Sequence, residues 1–594
     1  MTNSTPTTIP QIVDVGIPKN TTGIACAVKR GGVWQETSVE DFREKIEAFA
    51  LGLYAMGIRQ GDRVALHAEN STEWIIVDQA VLRLGAVTVP IYTTQPGDQI
   101  RYILEDAEAR VYIVSTEDLF AAPRSFIDEI ETLETTVGIL GSYAPGMLTF
   151  DEVLRQGRQR RGAAPGLATL QETIAPDDLA TLVYTSGTTG LPKGVMLSHG
   201  NLASNVLAVE DRFPFDPDAD RGGAMLSYLP LSHSLERTAT LTYLYIGYPI
   251  YFVEDFREIA EDFKTVRPVH MSTVPRLLEK IHAGIHKRAG TLSGVKRLLM
   301  RWALGLAERY DVTTPPSGLY RIQHNLAERL VLKKLRDAIF GGNLRAVTSG
   351  GAALPGHLMN FFNALGLFCA QGYGLTETSP VITLYKKGAL RAGSAGIPIN
   401  NVEVRIADDG EILARGPNIM KGYYKLPDKT AEVLTDDGWF HTGDIGHLDD
   451  GHLFITDRKK QLFKLSTGKY IAPTPIEVAL SGSPLIEQVV VVGSEYKFCA
   501  ALIVLDPQAV RQHLGANEAA LPDADLAATP AVNSLIEGVV ATVNEALPHW
   551  EQVKKFCLLE APFSIEGGEL TPTLKVKRRV VHEKYRDQIE AMYA

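Results

Sequence analysis

Cysteine is scarce, with four in 594 residues: Cys26, Cys369, Cys499 and Cys557. They stand far apart, and no CxxC or other metal-ligand spacing occurs, which excludes a zinc ribbon and a dense disulfide framework. So thin a supply is the pattern of free, structural thiols in a reducing compartment. Long hydrophobic runs are missing too. The longest, residues 238–253, contains Thr242, Gly247 and Pro249 and falls short of the roughly 20 residues a membrane-spanning helix needs. A buried core segment is expected there. The opening stretch, MTNSTPTTIPQIVDVG, lacks the basic region and apolar core of a signal peptide. A cytoplasmic protein is expected, touching a membrane only peripherally. Basic excess is also absent: 59 Lys and Arg stand against 70 Asp and Glu, a net charge of -11. A nucleic-acid partner is therefore not expected, since a phosphate-binding surface needs the opposite balance.

What is present is a chain too long for one hydrophobic core, so at least two domains are expected. Its 45% hydrophobic and 22% charged residues fit a globular protein. Residues 63–67 (RVALH), 87–92 (VTVPIY) and 110–115 (RVYIVS) read as strands, and 72–84 and 95–109 carry apolar residues at helical spacing. That alternation predicts a parallel sheet with crossover helices. Residues 276–345 differ. They are helix-rich and basic, with Lys287, Arg288, Lys296, Arg297, Arg301, Lys333, Lys334 and Arg336 interleaved with Leu, Ile and Trp302. Two readings stand side by side: a peripheral membrane surface, or the solvated face of ordinary amphipathic helices. Towards the C-terminus, 488–493 and 498–505 read as paired strands, and helices near 532–547 and 580–592 complete a small α+β unit. The change of character near 457–460 divides the chain into expected domains 1–457 and 458–594.

The strongest local signal is TSGTTGLPKG at 185–194. Glycine lets the backbone approach a polyphosphate so that main-chain N–H groups point inward. Thr185, Ser186, Thr188 and Thr189 add hydroxyls around Gly187, and Lys193 adds a mobile cation. The preceding TLVY reads as the strand that feeds the loop. A Walker A loop is excluded, because Lys193 is followed by Gly194 rather than Ser or Thr. Five further strings follow in order: GGAA at 350–353, QGYGLTET at 371–378, DGWFHTGD at 437–444, TDRKK at 456–460, and ELTPTLKVKRR at 569–579.

Together these strings resemble the core motifs of the adenylate-forming superfamily of AMP-dependent synthetases and ligases. The stretch 437–473 resembles the fatty acyl-CoA synthetase signature in particular, and the helices of 276–345 resemble the long-chain branch. The likeness implies an α/β fold: a large N-terminal region of several α/β subdomains with mixed sheets, and a small mobile α+β C-terminal domain. It implies an ATP and AMP site formed by Thr185, Ser186, Gly187, Thr188, Thr189, Lys193, Gly351, Ala352, Ala353, Gln371, Gly372, Tyr373, Gly374, Thr376, Asp444, Arg458 and Lys575. Within it, Tyr373 would stack on adenine, Asp444 would accept from the ribose hydroxyls, and Thr185 and Glu377 would hold Mg²⁺ through hard oxygens. Thr185, Lys193, Glu377 and Lys575 are the implied catalytic set, with Lys577 as the rival to Lys575 inside a basic run. Lys460 would be the hinge. CoA is assigned to Lys464, Ser466 and Lys469; the last departs from the Glu or Arg common in long-chain relatives. PLSHSLER at 230–237 resembles the motif bordering the acyl carboxylate, which makes His233 the gate candidate, with Leu235, Tyr243 and Tyr245 either tunnel lining or core.

The implied reaction joins a long-chain fatty acid to CoA. The carboxylate attacks the α-phosphate of ATP, pyrophosphate leaves, and the CoA thiol then displaces AMP from the acyl-adenylate. No nucleophilic side chain is required, and no G-x-S-x-G elbow is present. ATP, CoA and the fatty acid are the expected partners, Mg²⁺ the expected cofactor, and a homodimer is left open. Two other readings compete: a fatty acyl-AMP ligase that loads a carrier protein, and a membrane-associated fatty-acid binding or uptake protein.

Overall fold

The computed structural model describes residues 5–163, 165–185, 191–216, 222–314, 316–459, 461–514 and 521–594. Two compact units result. The first comprises Met1–Arg405, Leu413–Thr442 and Leu448–Phe454; the second comprises Ile406–Ile412, Gly443–His447 and Ile455–Ala594. The chain passes between them along the strands Glu403–Ile406, Glu411–Arg415, Phe440–Asp449 and His452–Arg458.

The first unit is organised on two large sheets. One has eight strands in the order Gly422–Tyr423, Lys193–Ser198, Leu179–Thr185, Val87–Ile91, Arg63–His67, Val111–Val114, Thr135–Gly138 and Leu148–Thr149. It is parallel from Leu179–Thr185 outward to Leu148–Thr149, and antiparallel at the other edge. The period of two sorts its side chains: Val64 and Leu66 enter the core shared with helices Val39–Ala55, Thr72–Arg83 and Phe150–Arg160, while Ala65, Tyr112 and Val114 enter the core shared with Gly97–Asp106. The expected strand–helix alternation is thus present, with no boundary moved by more than three residues. The other sheet has seven strands, ordered Phe368–Gln371, Ala346–Ser349, His270–Thr273, Met225–Ser227, Ile250–Phe252, Ile24–Arg30 and Val33–Ser38.

The apolar run at 238–253 is core, as expected. It forms the buried helix Ser234–Ile246 and the strand Ile250–Phe252. No helix among the described residues is long and apolar enough to cross a membrane. A buried ion pair ties this helix to the eight-stranded sheet. Arg237 contacts both carboxylate oxygens of Asp78, at 2.5 and 3.2 Å, and donates to Thr181 Oγ1 at 2.8 Å. Thr88 Oγ1 donates to the same carboxylate at 2.8 Å. Residues 276–345 fold as helices Pro275–Thr291, Gly294–Ala307, Gly318–Ala327 and Lys333–Phe340.

The second unit contains a three-stranded sheet in which Ile486–Val492 runs antiparallel, and Val553–Leu559 parallel, to the central Cys499–Leu505. Helices Pro473–Ser481 and Pro530–Asn544 pack on one face, and the C-terminal helices Arg578–Lys584 and Arg586–Tyr593 on the other. Arg578 forks onto Glu477 at 2.5 and 2.6 Å and donates to the Val491 carbonyl at 3.1 Å. All four cysteines are free, and three are buried.

Candidate active site

The antiparallel edge of the eight-stranded sheet gathers the first group of candidates. Thr185 ends one strand opposite Lys193, which begins the next. Ser186, Gly187, Thr188 and Thr189, between them, lie outside the described residues. The third strand, Gly422–Tyr423, sets Tyr423 beside Val195. Gly422 has φ +136°, and a Cβ there would lie 2.8 Å from Thr430 Cγ2, so glycine suits both this backbone conformation and the close approach of the following helix, Pro427–Ala431.

Tyr423 connects two candidates that are 184 residues apart in the chain (377 minus 193). Its ring centroid lies 4.3 Å from Lys193 Nζ, a cation–π contact, and its hydroxyl donates to Glu377 Oε1 at 2.9 Å. Burial first, then the Glu377 carboxylate, hold this hydroxyl far above the usual tyrosine range, so it remains a donor. Glu377 sits in the one-turn helix Thr376–Thr378, held by Met420 N–H donating to the Glu377 carbonyl at 2.9 Å and by Asn418 Nδ2 donating to the Thr378 carbonyl at 3.0 Å. Tyr423 and Asn418 belong to no string that the sequence singled out. The only local signal was Gly422-Tyr423-Tyr424, a glycine followed by two aromatics.

The C-terminal ends of the parallel strands in the seven-stranded sheet gather the second group, the usual place for ligand loops in an open α/β sheet. Ala346–Ser349 leads into Gly350 and the exposed Gly351, Ala352 and Ala353; Phe368–Gln371 leads into Gly372 and Tyr373. Gln371 is buried, and its Oε1 accepts from Leu354 N–H at 2.7 Å, so it fixes the 350–354 loop. Half-buried Tyr373 pairs with Thr383 in a short antiparallel ladder. A Cβ on Gly374 would lie 1.7 Å from the Pro380 carbonyl oxygen, so this ladder closes only with glycine. Thr376 Oγ1 is 3.5 Å from Ser234 Oγ, at the first turn of helix Ser234–Ile246.

His233 caps that helix: its Nδ1 accepts from Leu235 N–H at 3.1 Å, and its ring meets Tyr92 edge-on at 6.4 Å. Leu235 lies against Gly350, whose Cβ would be 3.1 Å from Leu235 Cδ2. Tyr243 is core, its hydroxyl bonded to His270 Nδ1 at 2.9 Å. Tyr245 is half-buried under Lys19.

The remaining candidates belong to the second unit. Asp444 is buried, and Arg458 Nε reaches its Oδ1 at 3.0 Å. The neighbouring Gly443 N–H donates to Glu411 Oε1 at 2.9 Å, while Lys459 donates to Glu411 Oε2 at 2.9 Å and pairs with Asp409 at 2.6 Å. Buried Asp457 accepts from Arg458 N–H at 2.6 Å and from Thr474 Oγ1 at 2.9 Å; burial raises its pKa. The hinge candidate Lys460 lies outside the described residues. Lys464, Ser466 and Lys469 are exposed on the hairpin joining Phe463–Lys464 to Tyr470–Ile471, with Lys469 Nζ 4.8 Å from the Trp550 ring. Lys575 is exposed on a separate tight turn. Thr571 N–H donates to its carbonyl at 2.8 Å, and its own N–H donates to Thr571 Oγ1 at 3.0 Å. The rival Lys577 is partly covered, its N–H donating to the Glu569 carbonyl at 2.7 Å.

Residues 19–424 match the AMP-binding enzyme family, and residues 460–594 match the AMP-binding enzyme C-terminal domain. The chain is similar to the long-chain-fatty-acid–CoA ligase FadD15 of Mycobacterium bovis, at 37% identity over 95% of this chain and 93% of that one. It is 32% identical to the human long-chain-fatty-acid–CoA ligase 6 over 94% of this chain and 83% of the other. In fold it is similar to the adenylation domain of a Mycobacterium chelonae carboxylate reductase. That structure has a TM-score of 0.76 at 24% identity, over 100% of this chain and 92% of that chain.

Proposed function

Since the chain belongs to the AMP-binding enzyme family, within the adenylate-forming superfamily, we propose that it is a long-chain-fatty-acid–CoA ligase of the AMP-forming type. The observation that carries this reading is the joining of Lys193 and Glu377 through Tyr423, beside the strand that leads into the hydroxyl- and glycine-rich loop. A cation, an anion and that loop on one sheet edge suit a nucleotide polyphosphate with its counterion.

The donors suit Mg²⁺. Glu377 and Thr185 offer hard oxygens, and Glu377 Oε2 has no partner among the described residues while Oε1 is held by Tyr423. Bound there, Mg²⁺ would neutralise phosphate charge. The chain's residues do the rest. The 185–193 loop and Lys193 hold the triphosphate. The loops 350–353 and 371–374 hold the adenine, with Tyr373 as the stacking ring. Asp444, oriented by Arg458, accepts from the ribose hydroxyls. Lys575 supplies a further cation as the fatty carboxylate displaces pyrophosphate at the α-phosphorus. The thiol of CoA then attacks the acyl carbonyl, its proton passes to solvent, and AMP leaves with the C–O bond electrons. His233 borders the acyl carboxylate. The exposed Lys464, Ser466 and Lys469, with Trp550 against Lys469, suit the phosphates and base of CoA.

The boundary between catalytic domains lies near 457–460, with Lys460 as the pivot that exchanges the environment of the adenylate between steps. Lys460→Pro is expected to keep adenylate formation and slow thioester formation; equal loss of both would defeat the pivot. Peripheral membrane contact through 276–345 is supported by a row of exposed apolar side chains, Val295, Leu298, Leu319, Ile322, Leu326 and Leu330. Exposed Lys296, Arg297, Arg301, Arg321, Lys333 and Lys334 flank them, a pairing that suits anionic lipid.

The test supplies ATP, Mg²⁺ and fatty acids of graded length, with and without CoA, and measures pyrophosphate and acyl-CoA. Steady acyl-CoA formation greatest with long chains is the expected result. Acyl-AMP without thioester in the presence of CoA would move the protein to the carrier-loading ligases. Fatty-acid binding without pyrophosphate release would move it to the binding proteins.

A further inference from the structure

Residues 282–286 read HAGIH, which sets two histidines four apart on the helix Pro275–Thr291. That spacing stacks their rings on one face. Both Nε2 atoms lie 2.9 Å from the same carboxylate oxygen, Oε1 of Glu308, which caps the C-terminus of the next helix, Gly294–Ala307. The rings are held from behind by Phe361, buried and 4.5 Å edge-on to His282 and 5.9 Å from His286. A third imidazole, His357, stands 6.1 Å from His282 between ring centroids.

This carboxylate is placed against the local field. The C-terminal end of a helix carries partial negative charge, so a carboxylate there needs a positive partner. The two imidazoles face it there, each Nε2 at 2.9 Å from Oε1. A divalent cation would supply that charge with both imidazoles neutral. The three candidate donor atoms lie within 4.8 Å of one another, two on one helix and one at the end of another. Two imidazoles and a carboxylate are a borderline-soft donor set, suited to Zn²⁺ or a neighbouring transition ion and poorly suited to Mg²⁺, which prefers oxygen and water.

We propose that His282, His286 and Glu308 form a zinc-class metal site that clips the helix Pro275–Thr291 to the C-terminal end of Gly294–Ala307, with water or His357 as the fourth ligand. None of these residues belongs to the nucleotide, acyl or CoA candidates, so the site stands apart from the Mg²⁺ chemistry. Its consequence is mechanical: two helices of the basic, apolar-edged segment become fixed to each other, and the metal charge is added beside it.

Tag-free, full-length protein is stripped with a chelator, dialysed, and titrated with zinc chloride by calorimetry, with elemental analysis after a second dialysis. One retained zinc per chain is expected, undisturbed by excess Mg²⁺. Glu308→Gln, which keeps the side-chain shape, and the double variant His282→Ala/His286→Ala should each weaken binding by at least about 100-fold, since loss of outer-shell partners alone costs about 10–100-fold. Both variants should keep the circular dichroism and pyrophosphate release of the parent. Cobalt substituted for zinc should give the visible absorption of a tetrahedral site, lost in the double variant. Absence of a saturable zinc site, or unchanged zinc affinity in both variants, would overturn the proposal.

Discussion

Tyr423 donates its hydroxyl to Glu377 at 2.9 Å while its ring holds the Lys193 ammonium at 4.3 Å. One side chain thereby orients two candidates of opposite charge, Lys193 and Glu377, and the separation of hydroxyl from ring makes the two contacts testable in turn.

Tyr423→Phe removes the hydrogen bond and keeps the ring. Loss of a hydrogen bond to a charged group costs about 1.5–3 kcal/mol, so kcat/KM for fatty-acid-dependent pyrophosphate release should fall by about 10- to 100-fold. Tyr423→Leu should fall further, because the cation–π contact goes too. Steady-state kinetics on both variants is the check, and parental rates in Tyr423→Phe would remove Tyr423 from the positioning role.

The Asp78–Arg237 pair is almost wholly buried, with side chains 1% and 3% exposed. Asp78→Ala leaves the guanidinium without its counter-charge. The expected cost is about 3–5 kcal/mol, read as a lowered urea midpoint. Asp78→Leu combined with Arg237→Met should recover much of that loss, because no charge is then left buried. A double variant as unstable as Asp78→Ala would contradict the assignment.

Burial holds His67 and His199 down at about 4 and His270 at about 3. In the unfolded chain these rings titrate near about 6.5. Below that pH the unfolded state binds protons that the folded state refuses. Stability is therefore complete above about pH 6.5 and lost as pH falls towards 4, by about 1.4 kcal/mol per pH unit for each ring. His270→Gln should make the acid limb shallower by one proton's worth in urea unfolding followed against pH. An unchanged slope would show that His270 does not carry it.

Glu236 gives the opposite slope. It is fully buried, and burial raises its carboxyl from 4.5 to about 8. Between those values the unfolded chain releases a proton that the folded chain keeps. This group's stabilising contribution is present below about pH 4.5 and lost as pH rises to 8, by about 1.4 kcal/mol per unit. Glu236→Gln should gain stability relative to the parent from pH 5 to pH 8 and show little difference at pH 4. A gap that stays constant with pH would mean Glu236 does not titrate across this range.

Local order accounts for what could be read without coordinates. The spacing of Val64, Leu66, Trp74, Ile75 and Val111 announced strand, helix and strand, because side-chain period follows backbone geometry within a few residues. The loop at 185–194 was legible for the same reason: its glycines, hydroxyls and lysine are contiguous. The interruption of residues 238–253 by Gly247 and Pro249 likewise announced a buried core segment rather than a membrane span, and the structure divides it into a helix and a strand.

Tertiary structure alone decided which distant residues meet. Tyr423 reaches Lys193 because Gly422–Tyr423 adds to the sheet edge after more than two hundred intervening residues, and no periodicity encodes that pairing. Gln371, a nucleotide candidate in the sequence, also braces the 350–354 loop, since a buried amide must bond to whatever the fold places beside it. His282 and His286 stand four apart in the chain, but their shared carboxylate comes from the end of another helix. Sequence by itself determined the elements and the contiguous motif, through short-range sterics and hydrophobic period. Packing determined the partners, because burial energy depends on surfaces brought together across the whole chain.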